Sequence, residues 1–308
     1  MKTRSRKSSD LLIVQSLFFC LFMSLCFIGL AFGQSVNTNT STCLVQTHGE
    51  PWVAKYNPEE RHLGAKFDKT VKPQVDASLT RMTSTPLPST FDWRNNNGNY
   101  VTPVRNQGSC DSCWVFSSIG VLESKVLIDN KMSGLVKNLS EQAMISFDDL
   151  ESYGCGGGYL DDAANFLQST GVPVEGCDEY TVTDNGVPCP DWEANTYKIT
   201  GWNYVSANTV PTTELLKNAI YNQGPIVAGM VIYTDFCYYY SSGVYSYAGP
   251  TFSFGNQTIM NLVQGGHAVE LIGWDDTHQC FIVKNSWGAS WGENGFFRIA
   301  YTELASVV

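Results

Sequence analysis

Residues Gln107–Trp114 read Gln-Gly-Ser-Cys-Asp-Ser-Cys-Trp, and two further stretches, Gly266-His267-Ala268 and Lys284-Asn285-Ser286-Trp287-Gly288, stand far downstream. Together they hold the groups that thiol-based acyl transfer requires. A cysteine nucleophile needs a base that makes it a thiolate, and the base needs a partner that orients it. An amide donor must also wait where the oxyanion forms. Cys113, His267, Asn285 and Gln107 fit these four roles. Singly they say little, because a buried cysteine is usually an inert small hydrophobe. A histidine ahead of an apolar run is more often a packed strand residue than a base. From Ser89 onward the only other histidine is His278, in the polar turn Asp275–Gln279, which leaves His267 as the base.

In this order the motifs resemble the papain family of cysteine peptidases, from about Phe91 to about Arg298. The resemblance implies an α+β fold of two lobes: a helical lobe carrying Cys113 and an antiparallel, β-barrel-like lobe carrying His267, with the active site in the cleft between them. It implies peptide-bond hydrolysis through a thiolate–imidazolium pair and an acyl-enzyme, without metal or cofactor. Cys113 would open the first helix, where unpaired N–H groups favour the thiolate before substrate arrives. Gln107 and the Cys113 N–H would receive the oxyanion, Asn285 would hold the imidazole, and Trp287 would shield that bond from water. The family pattern pairs Cys110 with Cys155 of Gly154-Cys-Gly-Gly-Gly-Tyr159. Gly157 and Gly158 would then pair with an extended peptide, and Tyr159 and Leu160 would form one wall of an apolar pocket.

Three departures stand out. Asp111 replaces the family's glycine, placing a carboxylate where the substrate residue before the scissile bond is expected. Phe147 stands where a second disulfide cysteine is often found; Cys177 and Cys189 are free to pair locally, at a spacing that is permissive but unspecific. The chain stops at Val308, soon after Phe296-Phe-Arg-Ile, where many relatives continue into the floor of the substrate pocket.

The residues alone support the same two-part division. Val115, Ile119, Leu122 and Val126 recur at helical spacing, and Ser140 is placed as an N-cap before Ala143-Met-Ile. From about Tyr197 the texture turns to strands at Ile226–Val231, Ala268–Trp274, Phe281–Lys284 and Gly295–Ala300, interrupted by a helix over Thr212–Tyr221.

Ahead of this domain, placed at residues 87–308, two segments are expected. Residues 1–33 have a basic start and an apolar run from Leu11 to Phe32, so they read as a secretory signal cleaved before Gln34. An uncleaved anchor is the competing reading. Residues 34–86 read as an inhibitory propeptide, since Trp52-x-Ala-x-x-Asn-Pro58 is similar to the short prosegments of cathepsin-B-like peptidases. The expected setting is the secretory pathway, ending in a secreted or lysosome- or vacuole-like location. Disulfides are permitted there, and sequons at Asn39, Asn138 and Asn256 fit it. Ten cysteines occur; two leave with the signal, and the odd seven of the body imply at least one free thiol, taken to be Cys113.

From Ser89 onward 9 Lys/Arg face 23 Asp/Glu, a balance of −14 that lacks the basic stripe of a nucleic-acid surface. No metal-ligand spacing, phosphate loop or dinucleotide fingerprint is present. The expected partners are peptide or protein substrates and the chain's own propeptide, with a monomer and no stable membrane association after signal cleavage. The rival from another class is a silent papain-fold binding protein. Such relatives usually lose the cysteine or histidine, and this chain keeps both. An exopeptidase usually needs an inserted loop that captures a substrate terminus, and no His-bearing insertion appears between Gly158 and Tyr180.

Overall fold

The computed structural model describes residues 42–47, 49–67, 86–146, 154–206 and 210–306. The expected signal, the Asn39 sequon, Phe147 and the expected processing region near Arg81 lie outside these residues. The N-terminal segment forms β1 (Thr42–Val45), β2 (Trp52–Lys55) and β3 (Ala65–Lys66), and β4 (Thr90–Asp92) follows. The helical lobe holds α1 (Cys113–Asp129), α2 (Glu141–Ser146), β5 (Gly158–Tyr159) and α3 (Leu160–Ser169). The strand lobe begins with α4 (Thr213–Gln223), β6 (Ile226–Tyr233), α5 (Thr234–Tyr239), β7 (Tyr240–Ser242) and β8 (Val244–Tyr245). It ends with β9 (Thr251–Phe254), β10 (Gln257–Met260), β11 (Val263–Asp275), β12 (Cys280–Lys284) and β13 (Phe296–Ala300).

Local chemistry accounts for several boundaries. The Ser140 hydroxyl accepts the Ala143 N–H at 3.0 Å, satisfying an orphan donor at the start of α2. Thr212 does the same for Leu215 at 3.2 Å before α4, and Gly224 follows that helix at a φ of +109°. The helix α1 is buried around most of its circumference. Trp114, Val115, Ile119 and Leu122 pack with Leu139, Met144, Phe166 and Val172 in the helical core, and α1 also lies against β11. Each large aliphatic side chain buried this way contributes about 1.5–3 kcal/mol.

The long strand β11 organises the other lobe. It pairs antiparallel with β6 over its first part and with β4 and β12 over its last. The sheet continues through β13 to β8, a pair that runs parallel. Among the described residues nothing pairs β8 back to β4 or β6, so the expected barrel-like lobe is a branched, mixed sheet in its hydrogen bonding.

The N-terminal segment is built into this lobe. β1 pairs with β2, and β2 with β7. Trp52 is fully buried between Tyr240 and Tyr245, its ring centroid 5.9 and 5.7 Å from theirs, and its indole N–H donates to the Ser246 carbonyl at 3.1 Å. Val45, Trp52 and Ala54 belong to the same core as Phe236, Trp291 and Phe297.

Between the lobes lies a buried charge cluster. Lys284 pairs with Glu270 at 3.0 Å, and Arg105 approaches Glu141 and Glu123 at 3.5 and 3.7 Å. The Thr102 hydroxyl donates to Glu123. The cluster lines a void of about 10 Å³. Gly120 of α1 is there for space: a Cβ would sit 1.9 Å from a Glu270 carboxylate oxygen.

Candidate active site

Cys113 is the first residue of α1, next to the Cys110–Cys155 disulfide, and it is fully buried. The disulfide and the Asp111 N–H, which donates to the Cys155 carbonyl at 3.1 Å, tie the entry of α1 to the glycine loop. His267 lies on β11, also fully buried. Its Nε2 faces the Asn285 Oδ1 at 2.7 Å, and its ring stacks on Trp287 with centroids 4.5 Å apart. An amide oxygen only accepts, so Nε2 carries the proton and Nδ1 is the free basic nitrogen. Among the described residues, that Nδ1 is buried with no hydrogen-bond partner. The Cys113 thiol instead accepts from the Ala268 N–H at 3.3 Å and from the Ala65 backbone.

Gln107 is fully buried, and its Nε2 donates to the Cys110 carbonyl at 2.9 Å and to the Leu63 carbonyl at 3.3 Å. Two residues not singled out from sequence hold it. The Ser286 hydroxyl donates to the Gln107 Oε1 at 2.7 Å, and the Tyr180 hydroxyl donates to the Gln107 main-chain carbonyl at 2.6 Å. Ser286 sits inside the quoted Lys-Asn-Ser-Trp-Gly motif, so its place was visible although its partner was not. Tyr180 carried no local signal.

The N-terminal segment runs through the cleft over these groups. Trp287 donates its indole N–H to the His62 carbonyl at 3.1 Å. The Gly64 N–H donates to the Gly266 carbonyl at 3.1 Å, and the Gly158 N–H to the Gly64 carbonyl at 2.9 Å. β3 then pairs parallel with β5, Ala65 opposite Gly158 and Lys66 opposite Tyr159. Close backbone approach explains Gly157, where a Cβ would lie 2.6 Å from the Gly64 carbonyl oxygen. Leu160 packs with Cys113, Ala268, Ala65 and Phe67 in one small apolar cluster.

This cover changes the ionisation expected from sequence. Burial pushes the Cys113 thiol up to about 12, against the backbone hydrogen bonds that favour the thiolate. Burial pulls His267 down to about 4, against the Asn285 bond. In this covered state burial therefore favours the neutral form of both groups. Desolvation outweighs the helix N-terminus.

The remaining sequence-derived residues fall outside the cleft. Cys177 and Cys189 are bonded to each other. His278 pairs with Asp275 at 2.7 Å in an exposed turn. Cys43, Cys113, Cys237 and Cys280 are free, so Cys113 is one of several free thiols.

The comparisons agree with this geometry. The family model described as "Papain family cysteine protease" matches residues 87–306. A Caenorhabditis elegans protein called cathepsin B-like cysteine proteinase 3 is 31% identical over 302 residues, covering 86% of this chain and 76% of its own. Cathepsin B-like CP1 of Giardia intestinalis is 36% identical over 227 residues, with coverages of 70% and 68%. The solved digestive procathepsin L2 proteinase of Tenebrio molitor larval midgut superposes with a TM-score of 0.62 at 26% identity, over 99% of this chain and 94% of that one. The chain belongs to the papain family of cysteine proteases, and it is a cysteine peptidase of papain-like α+β fold.

Proposed function

We propose that this chain is a cysteine endopeptidase made as a zymogen, in which residues 42–67 are part of a prosegment that blocks the cleft until it is removed. The observation that carries the reading is the placement of Leu63 and Gly64. One carbonyl sits on the Gln107 amide and the next on the Gly158 N–H, where a peptide substrate needs the same donors.

Once the prosegment leaves, water reaches the Cys113–His267 pair and the desolvation that keeps both groups neutral is relieved. The thiol proton passes to the His267 Nδ1, and the thiolate is held by the N-terminus of α1. The sulfur attacks the substrate carbonyl carbon, and the oxyanion takes hydrogen bonds from the Gln107 Nε2 and the Cys113 N–H. The Nδ1 proton then goes to the leaving nitrogen as the C–N bond breaks. Water, deprotonated by the same imidazole, hydrolyses the thioester. Asn285 fixes the tautomer, and Ser286 aims the Gln107 amide. Losing one such oxyanion donor typically costs about 2.7–4 kcal/mol of transition-state stabilisation.

Chain direction explains why the prosegment resists cleavage. The imidazole must reach the leaving amine, so the leaving half of a substrate lies on the His267–Trp287 side and the acyl half along Gly158. A substrate therefore runs from β5 towards Trp287. The prosegment runs the other way, with His62 at Trp287 and Ala65 at β5.

The same path supports endopeptidase action, because a continuous chain enters the cleft at Trp287 and leaves along β5 without a terminus inside it. The apolar cluster of Leu160 and Ala268, which takes Ala65 and Phe67, suits an apolar side chain on the acyl side. The basic, apolar N-terminus and the acidic body support export to a secreted or lysosome-like setting. The test is digestion of a folded-protein fragment and of end-blocked peptides by the processed enzyme, with products weighed by mass spectrometry. Cuts at internal bonds of end-blocked peptides are expected; release only of terminal residues or dipeptides would replace the reading with an exopeptidase.

A further inference from the structure

We propose that the slot holding Trp52 becomes, in the processed enzyme, a second binding site that takes a tryptophan from the leaving half of a protein substrate. The inference rests on the zymogen reading above and extends it to a surface outside the catalytic cleft.

The slot is shaped for an indole on an extended strand. Tyr240 and Tyr245 flank the ring, the Ser246 carbonyl accepts the indole N–H at 3.1 Å, and the side chain is fully buried. A phenylalanine there would bring no donor to that carbonyl. Gly243, at a φ of +98°, lets the strand lie close, since a Cβ would stand 3.0 Å from the Trp52 Cα.

The walls of the slot are fixed by bonds within the body of the chain. The Tyr245 hydroxyl donates to the Asp235 carboxylate at 2.8 Å, and the same carboxylate accepts the Ala248 N–H at 3.0 Å. The Tyr240 hydroxyl donates to the Gly243 carbonyl at 2.7 Å, and the Gly243 N–H donates to Glu293 at 2.8 Å. Phe236 packs against both tyrosine rings from within the core. None of these contacts uses residues 42–67, so removing the prosegment uncovers an aromatic slot that keeps its shape. A preorganised apolar surface of this kind gains by being covered again, at little ordering cost.

The occupant follows from the position. Ring contacts of 5.7, 4.7 and 5.8 Å lead from Trp52 through Tyr245 and Phe236 to Trp287, which stacks on His267. The leaving half of a substrate lies on that side of the cleft. Extended chain at about 3.3 Å per residue covers those three steps in about five residues. A tryptophan from about the sixth residue after the scissile bond onward therefore reaches the slot. Holding the substrate at a second point raises the local concentration of the scissile bond, which lowers KM and leaves kcat unchanged.

The experiment uses processed enzyme and three peptides of one sequence that carry Trp, Phe or Ala about eight residues after the cleaved bond, with products followed by mass spectrometry. The expected result is a KM about tenfold lower for the Trp peptide than for the Ala peptide, with the Phe peptide between them and kcat equal. A peptide of residues 42–57, which stops short of His62, should bind the processed enzyme and abolish the Trp advantage. It should leave hydrolysis of a short end-blocked peptide unchanged, and its Trp52→Ala form should do neither. Equal KM values for the Trp and Ala peptides would overturn the slot and leave the zymogen reading standing. So would a Trp advantage that survives the bound 42–57 peptide, or failure of that peptide to bind. Full activity in a protein that still carries residues 42–67 would overturn the zymogen reading and the slot with it.

Discussion

On the zymogen reading, the N-terminal segment meets the rest of the chain at two places that differ in kind. Around Trp52 it is part of a hydrophobic core: the indole is fully buried, two tyrosine rings flank it, and β1 and β2 form a three-stranded sheet with β7. Across the cleft, from His62 to Lys66, the segment is held chiefly through its own backbone, by side chains of Trp287, Gln107 and Asp111 and by the main chain of Gly158 and Gly266, and small residues let the chains approach. The first region supplies affinity, since aromatic burial is worth several kcal/mol per side chain. On the same reading the second supplies inhibition, since it occupies the Gln107 amide and the Gly158 strand edge. Blocking a site and binding to it are divided between separate stretches of one segment.

The largest effect is expected from the anchor. Replacing Trp52 by Ala removes a buried aromatic, at a cost of about 3–5 kcal/mol. A peptide spanning residues 42–67 should then inhibit the processed enzyme about 10²- to 10³-fold less well. An inhibition constant within threefold of the unaltered peptide would mean that the anchor does not supply the affinity.

A smaller effect is expected at the crossing. Gly64 has a φ of +128°, and a Cβ would lie 1.9 Å from the Asp111 carbonyl oxygen. Gly64→Ala should weaken inhibition by about 1–3 kcal/mol, the usual cost of overpacking. Inhibition unchanged by this variant would show that the segment does not follow the described path in solution.

The smallest effect asks whether pH acts through the prosegment or behind it. Burial pushes Glu141 up to about 8 and Glu270 up to about 7, from an unfolded value of 4.5. In that window the folded chain binds protons that the unfolded chain has released, so stability falls as pH rises from about 4.5 towards 8. Neighbouring Glu123 is raised too, and Arg105 and Lys284 offset only part of the burial. Glu270→Gln should flatten the fall by on the order of 1–3 kcal/mol, in the processed enzyme as much as in the proform. Thermal unfolding at pH 5 and pH 8 measures it. A slope that is present only in the proform would place the pH response in the prosegment instead.

Sequence legibility followed the range of the interactions. Ser140 and Thr212 announce their helices because a cap acts on a donor three residues away. Cys113, His267, Asn285 and Gln107 were readable as types in order, and the fold brings them to one cleft. The strands of the N-terminal segment were not readable, because four residues such as Trp52–Lys55 become a strand only against β7, which lies nearly two hundred residues on. The Gly120–Glu270 fit was hidden for the same reason, since each residue is unremarkable until the lobes meet. The neutral state of Cys113 under the covering segment was not readable, because a motif gives the helix terminus but not the desolvation imposed by Ala65, Phe67 and Leu160.

On the zymogen reading, one segment keeps the Cys113–His267 pair buried and neutral, and its removal lets the pair ionise. The direct measurement is the rate of Cys113 alkylation by a small thiol reagent at pH 5 to 8, before and after processing, with the labelled peptide mapped by mass spectrometry. Slow labelling of Cys113 is expected in the proform across this range, and labelling at least about 100-fold faster after processing that persists at pH 5, where an ordinary thiol is protonated. Equal rates in the two forms, or labelling in the processed enzyme that rises only above pH 8, would contradict it.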